Sequence, residues 1–277
     1  VRSLGHACRY ARWRREPAGS KPALPGIDRS AAHRIVAAAL AEGAGWQPIA
    51  VTRALMACYG IPLLDTQLAT SAEQAEKAAR DLGFPVVMKA TRPGLVHKTE
   101  AGGVHLGLFD KSAVREAYRS IAGSLDEIEP EVALQPMVQT GVELVVGVAH
   151  DALFGSVVMA GLGGVHTDLL GDRSFRSLPL TDHDAAAMWR ELRAAPLLTG
   201  YRGAPAMDSD SLEQLLLRVA ELAQNFPEVS ELDLNPVVAV SSGVAALDIK
   251  IKLASATDEP DAYARSLAKP GAHQPTQ

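Results

Sequence analysis

A mixed α/β fold of the α+β kind, in two lobes, is what this chain predicts, on three observations. Its 277 residues are 47% hydrophobic and 21% charged, which supports a sizeable core in one large or two modest domains. From about Gly60 onward, short strand-like runs alternate with helix-like segments. Leu212, Leu215, Leu216, Val219 and Leu222 repeat at helical spacing, marking a long helix with one apolar face.

The elements follow in chain order. Arg9, Arg12, Arg14 and Arg15 crowd a short helix that Pro17 ends, and residues 1–18 read as the close of a preceding domain. An organelle transit peptide is the other reading of an arginine-rich start, but serine is sparse. GSKPALPG, Gly19 to Gly26, is a proline- and glycine-rich linker. Asp28 can cap a helix to about Glu42, ended by Gly43, and Pro48 opens a second helix to Tyr59. Residues 19–45 thus form linker and helix, and the main domain runs over 46–253. Within it IPLLDTQLAT is extended, and Thr70 with Glu73 forms a capping box for a helix to Leu82.

PVVMKA reads as a buried strand, GVHLGLF as a half-buried one, and Ser112–Ser124 as a helix. Strands are predicted near Val132–Gln135, Val142–Ala149 and Gly155–Leu162, and helices over Asp182–Ala194 and Ser209–Asn225. LDLNPVVAV and GVAALDIKI close the domain as a strand pair. The polar tail, 254–277, is predicted to be disordered.

Composition excludes several classes. A net charge of −5 lacks the basic stripe of a nucleic-acid binder. No apolar run approaches the roughly 18 residues of a membrane-spanning helix. Cys8 and Cys58 have no metal spacing and suit a reduced, cytoplasmic setting. His6, His33, His105, His150, His166 and His183 form no metal motif either.

Chemistry concentrates in four places. On the PVVMKA strand, period two puts Val87 and Lys89 on one face. A lysine there seeks an anion such as a phosphate, or it sits at a strand end and snorkels to solvent. VHKTEAGGV, Val96 to Val104, sets His97 and Lys98 beside Gly102 and Gly103. Paired glycines let backbone N–H groups approach an anion, although a plain turn explains them too, and the spacing is not that of a P-loop. His97 suits phosphoryl transfer near neutral pH.

In ELDLNPVV and ALDIK, hairpin pairing about Ser241-Ser242 sets Asn235 opposite Asp248 and Asp233 opposite Lys250. Amide and carboxylate oxygens there suit Mg²⁺ carried by a nucleotide phosphate, against the alternative of a surface hairpin. Finally, GLGGVHTDLLGDRSFR offers a glycine loop after a strand. Arg173 and Arg176 there are able to reach phosphate as bidentate donors or to serve structural pairs, while Asp168 and Asp172 order the loop.

LGFPVVMKATRPGLVHKTEAGGVHLGL, LQPMVQTGVELVVGV, VVMAGLGG, LLTGYRG and ELDLNPVV with ALDIK resemble, in order, one known family. It is the ATP-grasp domain of the NDP-forming acyl-CoA (acetyl-CoA) synthetases, related to the succinyl-CoA synthetase β subunit. The resemblance spans about Gly45 to Leu253 and implies a two-lobed ATP-grasp fold with nucleotide between the lobes. The smaller lobe would cover about residues 63–135 and the larger about 136–253.

It implies an acid–thiol ligase making acyl-CoA and ADP from acid, CoA and ATP through an acyl phosphate and a phosphohistidine relay. Carried over by motif, Lys89 contacts nucleotide phosphate, with Lys98, Gly102, Gly103 and Arg176 as further cofactor-binding candidates. Gln135, Pro136 and Met137 lie in the hinge that pairs with adenine, and Glu143 lies near the sugar. Asn235 and Asp248, with Asp233 beside them, hold Mg²⁺. His97 matches the second phosphohistidine. Glu100 stands where the family is expected to carry Asp.

The CoA-binding and ligase domains that complete such an enzyme are expected in a longer chain or a partner subunit, and oligomerisation is compatible with the sequence. Two alternatives stand beside this reading: a regulatory nucleotide-binding module fused to an acetyltransferase, and an ATP-grasp ligase that forms C–N bonds.

Overall fold

The computed structural model describes residues 2–15, 18–92, 102–138, 140–151, 155–164 and 171–255. Helix α1 (Arg2–Trp13) leads the chain. Helix α2 (Arg29–Glu42) starts where Asp28 accepts the N–H of Ala31, and Gly43 ends it at φ 145°. Pro48 precedes α3 (Ile49–Cys58), and Gly60 turns the chain away at φ 59°. The next helix, α4 (Ala72–Leu82), corrects one expectation. Its cap is Ser71, which accepts the Gln74 N–H, while the Gln74 amide oxygen takes the Thr70 N–H at 2.9 Å. The capping pattern therefore sits one residue later than Thr70/Glu73, because Ser71 and Gln74 satisfy the same spacing.

Two antiparallel sheets organise the described residues. The smaller, in the order β2-β5-β3-β4, comprises β2 (Gln67–Ala69), β5 (Val132–Pro136), β3 (Val86–Ala90) and β4 (Val104–Leu108). Helices α4 and α5 (Lys111–Leu125) cover one face, burying Met88, Leu134, Ala79 and Ile121 in a common core.

The larger sheet has seven strands, ordered β1-β11-β9-β6-β7-β8 with β10 beside β9. These are β1 (Gly45–Trp46), β11 (Ile249–Leu253), β9 (Val229–Val240), β6 (Val142–Asp151), β7 (Gly155–Leu162), β8 (Arg173–Ser177) and β10 (Gly243–Ala246). Leu144, Val146 and Val148 of β6 alternate into a second core with α2, α3, α6 (Asp182–Arg190) and α8 (Ser209–Asn225).

The helix expected over Asp182–Ala194 breaks at Arg190. The buried Asp172 carboxylate takes the N–H groups of Arg193 and Ala194, each at 2.8 Å, and a new short helix α7 (Ala195–Leu198) begins. Pro196 in its first turn fits that restart. Asp172, just before β8, therefore holds the turn between α6 and α7.

The proline-rich linker is strapped to the larger lobe. Asp182 accepts the Ser20 N–H at 2.7 Å and its hydroxyl at 2.8 Å, and Arg218 of α8 donates to the Pro25 carbonyl at 3.1 Å. Glu221, only 5% exposed, receives Lys21 at 2.6 Å and Arg29 at 2.5 Å. Burial alone would raise its pKa, but Lys21, then Asn225 and Arg29, outweigh that and hold it below the ordinary value. A depressed carboxylate pKa stabilises the fold above the unfolded-state value, and that stability is lost as pH falls through the folded-state pKa. Glu221→Gln is thus expected to lower the urea midpoint at pH 7 and to match the parent at strongly acidic pH. A difference between the two that stays constant with pH would contradict this.

Candidate functional site

The last strands carry polar side chains to the open face of the larger sheet. Leu232 and Leu234 of β9 and Ile249 and Ile251 of β11 belong to the core, so the alternate positions point the other way. Asp233 pairs with Lys250 in the register, and the Asn235 N–H donates to the Asp248 carbonyl at 3.2 Å. Both pairings match the hairpin expected about Ser241-Ser242. The next rung outward is an ion pair, Lys252 to Glu231 at 2.6 Å. Burial pushes the Asp233 carboxyl up, Lys250 offsets part of this, and the Asp248 charge pushes it up further. Two carboxylates with this mutual repulsion favour a cation between them.

The smaller lobe meets this face through β3. Val86, Met88 and Ala90 point into the lobe's own core, and Lys89 points out of it. Its ammonium donates to the Leu247 carbonyl at 3.0 Å, one residue before Asp248. Of the two readings of Lys89, the structure shows the ammonium turned to the other lobe. Gln135 of β5 reaches the same carbonyl at 2.9 Å.

At the hinge, Pro136 ends β5 and the Met137 N–H donates to the Pro85 carbonyl at 3.1 Å. Strand alternation then aims the backbone groups of Pro136 and Val138 away from β3, where a base could be received. Met137 is 43% exposed beside them. Glu143 is exposed on β6, and its carbonyl takes the Gly163 N–H at 2.8 Å.

A Cβ on Gly163 would lie 2.9 Å from the Glu143 carbonyl carbon, and one on Gly164, at φ 75°, 2.9 Å from Glu143 Oε2. The first half of the glycine loop is thus pressed against Glu143, a close approach that the spacing of the glycines alone left open. Val165–Leu170, with Asp168 and His166, lie outside the described residues.

Gly103 gives its carbonyl to the Ala90 N–H at 2.8 Å, and Gly102 turns at φ 69° with its Cβ position 3.0 Å from Ser124 Oγ. The glycine pair therefore starts β4 against the end of β3, next to Lys89. His97, Lys98 and Glu100 lie outside the described residues. Arg176 is not brought to this cluster. It sits on β8 opposite the core residue Val158, paired with Glu191 at 2.5 Å and Asp184 at 3.7 Å. A five-residue strand puts alternate side chains on opposite faces, and Arg176 falls on the helix-covered one.

Among the described residues, no group of three or more His, Cys, Asp or Glu is placed to hold a metal ion. One amide and one or two carboxylates on facing strands nonetheless suit Mg²⁺. That ion keeps several waters and takes one or two carboxylates together with substrate phosphates. Asn235, Asp248 and Asp233 are the residues that would supply that hard-oxygen set.

A family model for the ATP-grasp domain matches residues 38–253, and the chain belongs to the ATP-grasp family. Within that family it is similar to the β subunit of the ADP-forming acetate–CoA ligase I of Pyrococcus furiosus. The two are 37% identical over 204 residues, which cover 72% of this chain and 88% of that subunit. The ADP-forming acetate–CoA ligase I of Archaeoglobus fulgidus is 37% identical over 234 residues, covering 82% of this chain and 34% of that longer one. This chain therefore spans about a third of that relative.

Among solved structures, a chain of the Ca. Korarchaeum cryptofilum acetyl-coenzyme A synthetase 1, in complex with coenzyme A and Ca-AMPCP, is 37% identical. It superposes with a TM-score of 0.76, over 80% of this chain and 100% of that one. A second structure of the same enzyme, with coenzyme A and Mg-AMPPCP, has its phosphohistidine segment pointing towards the nucleotide binding site. It is 34% identical with a TM-score of 0.70, at the same coverage. No helix among the described residues is long and apolar enough to cross a membrane.

Proposed function

We propose that this chain is the nucleotide-binding, phosphoryl-transferring part of a cytoplasmic ADP-forming acyl-CoA synthetase. Its partners would be CoA-binding and ligase domains carried on the same polypeptide or on another subunit. The observation that supports this most is the convergence of Lys89 and the Asn235/Asp248 rung on the two sides of Leu247, where the lobes meet. Nucleotide would lie in that cleft, its base at the Pro136–Val138 backbone, its sugar near Glu143 and its phosphates at Lys89, Gly102 and Gly103.

Asn235 and Asp248, with Asp233, would hold Mg²⁺, which supplies charge neutralisation on the phosphates. Lys89 adds a fixed positive charge where negative charge accumulates on transfer. His97 is the acceptor: its ring nitrogen bonds to the γ-phosphorus as the bond to the β-phosphate oxygen breaks, and ADP leaves. In the complete enzyme the phosphoryl group would pass to a carboxylic acid, and CoA would displace phosphate from the acyl phosphate.

Incubation with γ-labelled ATP and Mg²⁺ tests this. An acid-labile, base-stable label that disappears in His97→Ala is expected. Label persisting in that variant would sink the histidine assignment, and no thermal stabilisation at millimolar MgATP would count against nucleotide binding itself.

A further inference from the structure

One buried polar side chain at the lobe junction is left unexplained by nucleotide contacts alone. Gln135 is 5% exposed and lies opposite Val87, on the cleft side of β5. Its amide nitrogen donates to the Leu247 carbonyl at 2.9 Å and to the Thr66 hydroxyl at 3.0 Å, while its amide oxygen is buried with no hydrogen-bond partner. The carbonyl of Leu247 only accepts, so turning the amide over would set oxygen against oxygen, and the network settles the orientation. A buried acceptor without a partner is costly, and a methionine would fill the same space without that cost. The donor aimed at Leu247 is what the amide supplies.

That carbonyl belongs to the peptide joining Leu247 to Asp248. The larger lobe holds the peptide's other surroundings: the Leu247 N–H donates to Pro236 at 2.9 Å, and the Asp248 carbonyl accepts from Asn235 at 3.2 Å. The smaller lobe holds it through Gln135 and Lys89 together. Thr66 in turn receives Arg53 at 2.9 Å, which ties the latch to α3 of the larger lobe.

We propose that Gln135 is a positioning residue: its amide clamps the Leu247–Asp248 peptide between the lobes and so sets the Asp248 carboxylate relative to Lys89. The proposal rests on the reading of this cleft as a MgATP site. Gln135 touches no nucleotide in this role. It acts through Asp248, so its loss would weaken the cation more than the nucleotide.

The test compares the chain with its Gln135→Met and Gln135→Asn variants. Methionine keeps the volume without a donor, and asparagine keeps the amide without the reach. Thermal stabilisation by ATP is measured in EDTA and across a Mg²⁺ titration. Each variant is expected to need about tenfold more Mg²⁺ for half-maximal stabilisation, the usual effect of removing a group that orients a metal ligand. Stabilisation by ATP in EDTA should fall by less than the Mg²⁺ requirement rises, since the amide acts on the Leu247–Asp248 peptide.

Equal loss in both arms, or no change in either, would overturn the proposal in favour of plain packing. Should one variant misfold, the other carries the comparison. A parent chain that MgATP does not stabilise at all overturns the nucleotide-site reading, and this proposal with it.

Discussion

Asp248→Asn is expected to remove most of the magnesium-dependent part of nucleotide binding while leaving the fold intact. Asp248 Oδ1 accepts the N–H of Ile249 at 3.0 Å, and an asparagine oxygen can do the same, so the start of β11 survives. What disappears is one full negative charge at a rung whose other member, Asn235, is neutral. A hard cation that takes only one or two protein carboxylates has little left to hold it. With an affinity loss of about 100-fold, or about 2.8 kcal/mol at 1.4 kcal/mol per tenfold, ATP at saturating Mg²⁺ would stabilise the variant scarcely more than ATP in EDTA. Asp233 would be relieved of a repelling neighbour, so its carboxyl would titrate lower than in the parent. Isothermal titration with and without Mg²⁺ reads the first effect. An unchanged magnesium dependence would remove Asp248 from the site.

Leu216→Ala is the largest stability loss expected from a single truncation in the larger lobe. Leu216 is fully buried on α8, in the core shared with β6, β7 and β10. It is one of the leucines whose spacing marked the helix in the sequence. Removing three buried carbons costs their transfer free energy plus the cavity left behind, about 2–5 kcal/mol. Leu215 and Leu212, also buried on this helix, limit how far the neighbours can collapse into the gap. Urea unfolding should show a lower midpoint with an unchanged slope. A loss below about 1 kcal/mol would mean that the site collapses freely and that the core is looser than its burial implies.

Much of the site was legible because strand pairing follows simple arithmetic. Counting back from the Ser241-Ser242 turn placed Asp233 opposite Lys250 and Asn235 opposite Asp248, and β9 keeps that count across β10 and into β11. The long helix Ser209–Asn225 falls where its apolar period put it. Arg176 shows the limit. Its guanidinium had the chemistry for phosphate, but its face depended on the register of β8 against β7, which no local pattern reports. The Asp182–Ala194 helix ran long for a similar reason. The carboxylate that meets its end, Asp172, lies before β8, 21 and 22 residues from Arg193 and Ala194.

Gln135 makes contacts that its place in the sequence does not announce. As a letter in LQPM it marked only a hinge. Its side chain matters because β5 brings it within 2.9 Å of a carbonyl 112 residues away.

From the amino-acid order alone came the mixed fold, most of the helix and strand positions, and the candidate donor types for phosphate and a hard cation. Each depends on periodicity, capping or the intrinsic chemistry of a side chain, all of which act over a few neighbours. Which face a charge occupies, and which distant group it meets, came from strand register and from the contacts between the two lobes. Lys89 could have pointed into solvent by every local rule. It meets Leu247 because the smaller lobe's core claims the alternate positions of its strand and leaves it only the side toward the larger lobe.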